Sequence, residues 1–284
     1  MLDITARLVS ELSLQPWQVQ NALALFAEGA TLPFVARYRK ERTGEMDEVQ
    51  LRLLQDRFAY LTELEERKIA ILESIESQGL LTDELRARIE ACERKTELED
   101  LYLPFKPKKR TRATIAREKG LAPLAEQIAA WNSPDTSSAD LREAALAFVS
   151  EELGVASAED ALAGASDILA EEVSERAELR AWVRRHFSET GNFRSRVKSD
   201  FPLGSTKFEM YRDYSSPVRD IPAHNLLAMR RGEAEGVLIL ELQYDEEAVL
   251  SHLESETSLS RANEVRTFWR AMTADAFQRL MKHT

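Results

Sequence analysis

The sequence has few of the residues that mark disulfide-bonded, metal-thiolate, membrane-spanning or disordered chains. Its 284 residues include one cysteine, Cys92, which excludes an internal disulfide framework and a thiolate metal site within one chain and favours a reducing compartment. Only 10 Gly and 9 Pro occur, and apolar residues make up 44% of the chain, which excludes collagen-like and disordered classes. No run approaches the roughly 20 apolar residues of a membrane span, and no signal-peptide pattern is present. We therefore expect a helix-rich, cytoplasmic chain without a membrane partner.

The motifs of common catalytic and cofactor sites are also missing. The sequence contains no Gly-rich phosphate loop, no nucleophile elbow and no dinucleotide fingerprint. Its four histidines lie far apart, and none has a partner at metal-ligand spacing. Glu171, Glu172 and Glu175 share a helix face, but a di-metal carboxylate bundle also needs histidines, so a solvated face is the favoured interpretation. We expect no enzyme activity, no catalytic residue, no metal, no cofactor and no small-molecule ligand.

The sequence is acidic overall but contains two local clusters of cationic residues. The formal net charge is −11, so the long-range field repels nucleic-acid phosphates unless basic residues gather on one face. We predict nucleic-acid contacts at two clusters, which are Arg37, Arg39, Lys40 and Arg42 around Tyr38, and Lys106, Lys108, Lys109, Arg110 and Arg112 after Phe105. Each contact between such a cation and a phosphate would release condensed counterions. The alternative is that these cations form ion pairs with nearby acids such as Glu97, Glu99 and Asp100.

The longest predicted element is a central helix. Asp47 with Gln50 forms a capping box, and no Gly or Pro follows before Gly79, which predicts about 30 helical residues spanning roughly 45 Å. Its apolar residues fall in two stripes, which predicts packing on two sides. These stripes are Val49, Leu53, Tyr60, Leu64, Ile71 and Ile75, and Leu54, Phe58, Leu61 and Leu72. A coiled coil is the alternative, although charged residues occupy positions along its seam.

Shorter helices and one small sheet complete the predicted fold. Helices are expected at residues 17–27, 32–39, 82–92, 121–131, 139–153, 158–187, 223–231 and 259–281, with another that Thr96 and Glu99 cap and Pro104 ends. The predicted helix at residues 158–187 is long and could break near Gly164 or Ser166. Alternating residues 193–198 predict a strand, and the apolar run 237–242 predicts its partner.

We therefore predict a mainly α, elongated multi-helix fold with a long central helix, a helix-turn-helix-like N-terminal part and a small β element near the C-terminal third. The pair of helices around Gly29 resembles a helix-turn-helix, whose second helix would enter a major groove. An ordinary antiparallel helix pair is the alternative.

Long strings in the sequence resemble a known family. The strings GATLPFVARYRKERTGEMDEVQLRLL at residues 29–54 and KTELEDLYLPFKPKKRTRATIAREKGLAPLA at residues 95–125 closely resemble the N-terminal region of the Tex family of transcription accessory proteins. Shorter matches are ALAGASDILAEEVSE at 161–175, KFEMYRDY at 207–214 and LAMRRGEAEGVL at 227–238. The family usually has Ser-His-Arg where this chain has Ala223, His224 and Asn225.

The resemblance implies a Tex-like N-terminal helical domain at residues 1–120 and a Tex-like central helical region with a small β-hairpin at 121–284. It implies a non-catalytic scaffold that supports RNA or DNA binding and contacts with the transcription machinery. The alternative is a protein-interaction scaffold without nucleic-acid contact of its own. Tex proteins continue into RNase-H-like, helix-hairpin-helix and OB-type RNA-binding domains. None follows Thr284 here, so we expect the family's main nucleic-acid-binding module to be absent, in agreement with the acidic balance.

Overall fold

A computed structural model describes residues 3–107 and 110–283, and its elements confirm the mainly α class. About two thirds of the chain (66%) is helical, in 15 helices beside one three-stranded antiparallel sheet within the described residues. The chain divides into two compact units, Met1–Phe105 and Lys106–Thr284. The domain boundary at residue 120 stays a prediction. Every helix of the described residues is too short or too polar to cross a bilayer.

The first unit contains seven helices within its described residues. They are α1 Ile4–Leu12, α2 Pro16–Ala27, α3 Leu32–Tyr38, α4 Lys40–Thr43, α5 Glu48–Ser77, α6 Asp83–Ala91 and α7 Lys95–Tyr102, followed by a 3₁₀ turn, Leu103–Phe105.

The second unit contains eight helices and three strands within its described residues. They are α8 Arg112–Glu118, α9 Ala122–Trp131, α10 Leu141–Leu146, α11 Ala158–Ser174, α12 Ala177–Thr190, β1 Asn192–Val197, β2 Asp213–Pro217, α13 Ala223–Ala234, β3 Leu238–Gln243, α14 Glu246–Thr257 and α15 Asn263–Ala276, which ends in a π-helical turn, Phe277–Met281.

The long helix α5 begins where its capping residues predict. The Asp47 carboxylate accepts the Gln50 backbone N–H at 2.8 Å, and the Gln50 side-chain oxygen accepts the Asp47 N–H at 3.1 Å. Both bonds use backbone N–H groups that the first turn of a helix leaves without an intrahelical partner. The helix runs for 30 residues, as predicted.

The burial pattern of α5 corrects the predicted pair of stripes. Val49 and Leu53 are 73% and 55% exposed, so their assignment to a buried stripe was wrong. One stripe of the helix is buried, and its spacing of three, four and seven residues keeps it on one face. Its members are Leu51, Leu54, Leu61, Leu64, Lys68, Ile71 and Ile75.

The two ends of this stripe belong to two cores. The N-terminal half packs with apolar residues of α1, α2 and α3, and the C-terminal half packs with those of α6 and α7. Lys68 is buried between apolar neighbours, and its Nζ donates to Glu65 Oε1 and to the Glu90 carbonyl, each at 2.8 Å. The charge is tolerated because both contacts compensate for lost hydration.

Several boundaries in the first unit differ from those predicted. The helix α1, which Asp3 caps through the Ala6 N–H at 3.0 Å, was not predicted. The helix α7 begins at Lys95 without a side-chain cap, so the predicted capping box of Thr96 and Glu99 is wrong. Glu99 instead accepts from Arg67 Nε of α5 at 2.6 Å.

In the second unit, small residues allow α8 and α11 to approach closely. Ala113 and Ala116 of α8 are buried in the same core as α11, and a Cβ built on Gly164 would lie 3.3 Å from the Ala116 Cβ. The helix α8 was not predicted. The chain leaves helical geometry at Arg176, whose backbone is extended, and Gly164 lies inside α11, so the predicted break near Gly164 or Ser166 is wrong.

The predicted pair of strands is present, with one strand that was not predicted. β1 lies between β2 and β3 and pairs antiparallel with both, with Ser195 opposite Tyr214 on one side and Leu240 on the other. The predicted hairpin is therefore a three-stranded sheet. Residues 139–153 form only the short α10. The predicted final helix at 259–281 is α15 with its π-helical turn, and the preceding helix α14 was not predicted.

We predict that replacing Ile71 by Ala lowers the free energy of unfolding of the first unit by about 2–5 kcal/mol, because the vacated volume in a fully buried site persists. Urea unfolding followed by circular dichroism measures this change. Ile69→Ala is the matched control, because Ile69 lies on the same helix and is 42% exposed. Equal losses for the two variants would contradict the single buried stripe.

A pH-dependent contribution is expected from Glu11 of α1. Hydrogen bonds from Arg57 and then from Arg7 lower the pKa of this carboxyl from 4.5 to about 2. Because the folded pKa lies below the unfolded one, the stabilisation is complete above pH 4.5 and is lost as pH falls towards 2.

We therefore expect Glu11→Gln to lower the free energy of unfolding by about 1 kcal/mol at neutral pH, a value typical of a partly exposed ion pair. The difference from the parent chain should shrink towards zero near the folded pKa. Glu76→Gln, which removes an exposed pair with Arg86, serves as the control with little effect at either pH. A loss that grows on acidification would contradict the assignment.

Candidate nucleic-acid interface

The first predicted cluster lies at the junction of α3 and α4 and is here called the α3–α4 basic patch, defined as Arg37, Arg39, Lys40 and Arg42. The buried side of α3 is formed by Leu32, Val35 and Ala36. Arg37 therefore points away from the core, one residue before α3 ends. Arg39 has φ −134°, which interrupts the helix and separates α4 as a single further turn.

Amide side chains of α2 hold the end of α4 in place. Gln18 Nε2 donates to the carbonyls of Thr43 and Gly44 at 3.3 and 3.2 Å, and Asn21 Nδ2 donates to the carbonyl of Arg42 at 2.9 Å. Carbonyls at the end of a helix have no intrahelical partner, so these bonds satisfy them. The buried Thr43 hydroxyl also donates to the Lys40 carbonyl at 3.2 Å. The backbone that carries the patch is thus fixed to α2.

Three of the four cations of this patch are exposed to solvent, and the fourth, Arg39, is half-buried. Arg37, Lys40 and Arg42 are exposed, and none of the four patch side chains forms an ion pair within residues 3–107 and 110–283. Arg39 is half-buried, its Nη1 donates to the Tyr38 carbonyl at 3.1 Å, and its Cζ lies 5.2 Å from the centroid of the Phe34 ring. The alternative interpretation, internal ion pairing, does not hold for this patch.

Glu97, Glu99 and Asp100, the acids that the alternative interpretation named as ion-pair partners of the cations, lie elsewhere or have other contacts. Glu97 lies 3.9 Å from Arg94, and Glu99 binds Arg67. Asp100 is buried. Arginines of α5 and α6 likewise have carboxylate partners, as in the pairs Arg52 with Glu48 and Arg86 with Glu76.

The second predicted cluster, here called the basic loop, has three described cations, Lys106, Arg110 and Arg112, and all three belong to the second unit. Lys106 and Arg110 are exposed, and Arg110 Nη2 lies 3.1 Å from Glu118 Oε2, with both side chains more than half exposed. Arg112 is exposed at the first position of α8, which Thr111 caps. Lys108 and Lys109 lie outside the described residues. Each cluster belongs to a different compact unit and is described by itself.

The carboxylates of α11 form ion pairs instead of a solvated face. Glu171 is 7% exposed and accepts from Arg117 Nη1 at 2.7 Å and from the Thr111 hydroxyl at 2.9 Å. The interpretation of a solvated face was therefore wrong for Glu171, whereas Glu172 is exposed and lies 3.5 Å from Arg117. No cluster of three or more His, Cys, Asp or Glu side chains within the described ranges is placed to hold a metal ion.

One exposed residue beside the basic patch was not singled out from the sequence. Phe34 is 41% exposed on α3, four residues before Tyr38, which is 63% exposed. The four-residue spacing places both rings on the face that also carries Arg37. The sequence alone contains a signal for this exposure, because Phe34 and Tyr38 are four residues apart and lie off the apolar side that residues 32, 35 and 36 form.

These observations define a mainly helical, net-acidic protein that presents a local, unpaired cationic surface on a short helix. Two family models match the chain, "Tex-like protein N-terminal domain" over residues 2–76 and "Tex central region-like" over residues 136–283. The chain belongs to the Tex family.

Curated relatives agree with this assignment. The chain is 43% identical over 283 residues to the transcriptional accessory protein Tex of Neisseria gonorrhoeae, which covers 95% of this chain and 36% of that protein. It is 45% identical over 251 residues to protein tex of Bordetella pertussis, with 88% and 31% covered. It is 26% identical over 250 residues to human S1 RNA-binding domain-containing protein 1, with 84% and 24% covered. The chain spans about a third of the length of the bacterial relatives.

Gly44 should be essential to the geometry of the α3–α4 basic patch. It has φ +67°, and an added Cβ would lie 2.5 Å from Gln18 Nε2 and 2.6 Å from Trp17 Cη2. We predict that Gly44→Ala lowers the free energy of unfolding of the first unit by about 2–3 kcal/mol, from backbone strain and displaced side chains. Urea unfolding measures the loss.

Gly29→Ala is the matched control for this substitution. Gly29 also has a positive φ of +87°, but an added Cβ would meet nothing within 4 Å. It should therefore cost only the backbone strain, about 1–2 kcal/mol. A smaller loss for Gly44→Ala than for Gly29→Ala would show that the contacts with Trp17 and Gln18 are unimportant.

Proposed function

We propose that this chain is a non-catalytic, nucleic-acid-associated scaffold of a Tex-family transcription accessory protein, which contacts the phosphates of RNA or DNA through the α3–α4 basic patch. The observation that carries the proposal is that these four cations lack internal ion pairs in the part of the chain that the structure describes. The described cations of the basic loop, Lys106, Arg110 and Arg112, are proposed as additional contacts. The function would be exercised in the cytoplasm, beside the transcription machinery.

The electrostatic argument rests on the contrast between global and local charge. The net charge of −11 repels a polyanion at long range, so binding depends on close contacts with a few cations. An Arg or Lys already paired with a carboxylate gains little from a phosphate, because the existing pair must first be broken. Unpaired Arg37, Lys40 and Arg42 carry no such cost, and each phosphate contact releases condensed counterions.

The names of the relatives support an association with nucleic acid. The Neisseria protein is named for an accessory role in transcription, and the human relative is named for an S1 RNA-binding domain. We propose that the region shared with this chain supports such binding and adds phosphate contacts of its own.

A second candidate is a protein-docking scaffold without nucleic-acid contact. The exposed Val49 and Leu53 on the first two turns of α5 favour it, because two large apolar side chains four residues apart form a small apolar surface.

The test is a salt titration of binding to fluorescently labelled single-stranded RNA and duplex DNA, measured by fluorescence anisotropy. We expect affinity to fall steeply between about 50 and 200 mM salt. The triple variant Arg37→Gln/Lys40→Gln/Arg42→Gln should weaken binding and reduce the slope of log K against log salt by about 2.

The matched control is Arg52→Gln/Arg86→Gln/Arg94→Gln. It removes the same number of positive charges from the same unit, but at exposed side chains that already face carboxylates. Equal salt slopes for the two triple variants would refute the assignment of the patch. Absence of binding by the parent chain at low salt would overturn the proposed function in favour of the docking scaffold.

A further inference from the structure

We infer that the exposed face of α3 is a stacking platform for unpaired bases, so that the ligand of the α3–α4 basic patch is single-stranded nucleic acid. This inference rests on the proposed function and specifies its substrate. Phe34 and Tyr38 would stack on bases, while the neighbouring cations hold the sugar-phosphate backbone.

The two rings form a continuous aromatic surface. Their centroids lie 5.5 Å apart with an interplanar angle of 42°, and the side chains are 41% and 63% exposed. Because the buried side of α3 is complete with Leu32, Val35 and Ala36, neither ring is needed to fill the core. Every base has a π-face, so stacking on such rings tolerates any sequence.

Arg39 extends this surface towards the cations. Its guanidinium carbon lies 5.2 Å from the Phe34 centroid, and its Nη1 is held by the Tyr38 carbonyl at 3.1 Å. A guanidinium plane can itself stack on a base. The exposed Lys40 and Arg42 follow directly on α4, whose end is held by Gln18 and Asn21 of α2. Aromatic rings and cations therefore alternate along one short stretch of backbone.

The same face is poorly suited to reading a duplex. A recognition helix in a major groove reads base edges with side chains such as Asn, Gln, Ser, Thr and Arg. The exposed residues of α3 are Pro33, Phe34, Arg37 and Tyr38, of which Arg37 alone has this capacity. The helix ends after seven residues. The predicted helix-turn-helix would thus present rings that need an unstacked base, which a duplex does not offer.

Binding of the 284-residue chain to four labelled oligomers tests the inference. The probes are oligo(U) RNA and oligo(dT) DNA of about 12 nucleotides, a duplex of equal length and an abasic oligomer with the same phosphates but no bases. We expect both single strands to bind at least about tenfold more tightly than the abasic oligomer, because stacking contributes only when bases are present.

Variants separate stacking from charge. Phe34→Ala and Tyr38→Ala should each weaken oligo(U) binding on the order of tenfold, leave abasic binding unchanged and keep the salt slope. Phe34→Tyr and Tyr38→Phe should retain affinity. Val49→Ala/Leu53→Ala, which truncates two exposed apolar side chains of α5, is the control and should bind like the parent chain. Thermal unfolding by circular dichroism confirms that each variant is folded.

The outcomes distinguish the two proposals. Equal affinity for oligo(U) and the abasic oligomer, tighter binding of the duplex, or unchanged binding by folded Phe34→Ala and Tyr38→Ala chains would overturn the stacking platform. If the triple charge variant still lost affinity, the proposed function would stand. If neither the triple charge variant nor the ring variants changed binding, both proposals would be overturned.

Discussion

The buried stripe of α5 is the constraint on which the first unit depends. One face of a 30-residue helix supplies apolar side chains to two cores, and the charge of Lys68 inside that stripe is balanced by Glu65 and the Glu90 carbonyl. Because α3 packs on the N-terminal half of this stripe through Leu32, Val35 and Ala36, its opposite face must meet solvent. The exposure of the cations and rings there is a consequence of core packing.

Charge pairing separates structural arginines from candidate binding residues. Arg57 and Arg67 project from α5 onto carboxylates of α1 and α7 and so connect helices within the unit. Arg37 and Arg42 project from a junction that Gln18 and Asn21 hold through backbone carbonyls, which leaves the charged groups unused. Composition cannot separate these groups, since both are clusters of the same residue type. The distinction depends on which carboxylates the fold brings within reach.

Local signals predicted much of the secondary structure. Asp47 with Gln50 located the start of α5, and the alternation of residues 193–198 with the apolar run at 237–242 located β1 and β3. Elements whose stability comes from packing were missed. β2 has the sequence DYSSP, with no apolar run, and is formed by its pairing with β1. α8 is a short helix after a basic loop, and buried alanines facing α11 stabilise it. Isolated short segments rarely form helices or strands alone, so their sequences carry little signal.

By itself, the sequence determined the mainly helical class, the long central helix, the family and the two clusters of cations, because these follow from periodicity, capping residues and motif strings that act within a few residues of one another. The tertiary structure decided which apolar residues of α5 are buried, that Glu171 is an ion-paired core residue, and that Phe34 lies in solvent beside an unpaired basic patch. Burial and ion pairing depend on contacts between residues distant in the chain, and a local pattern does not contain those distances.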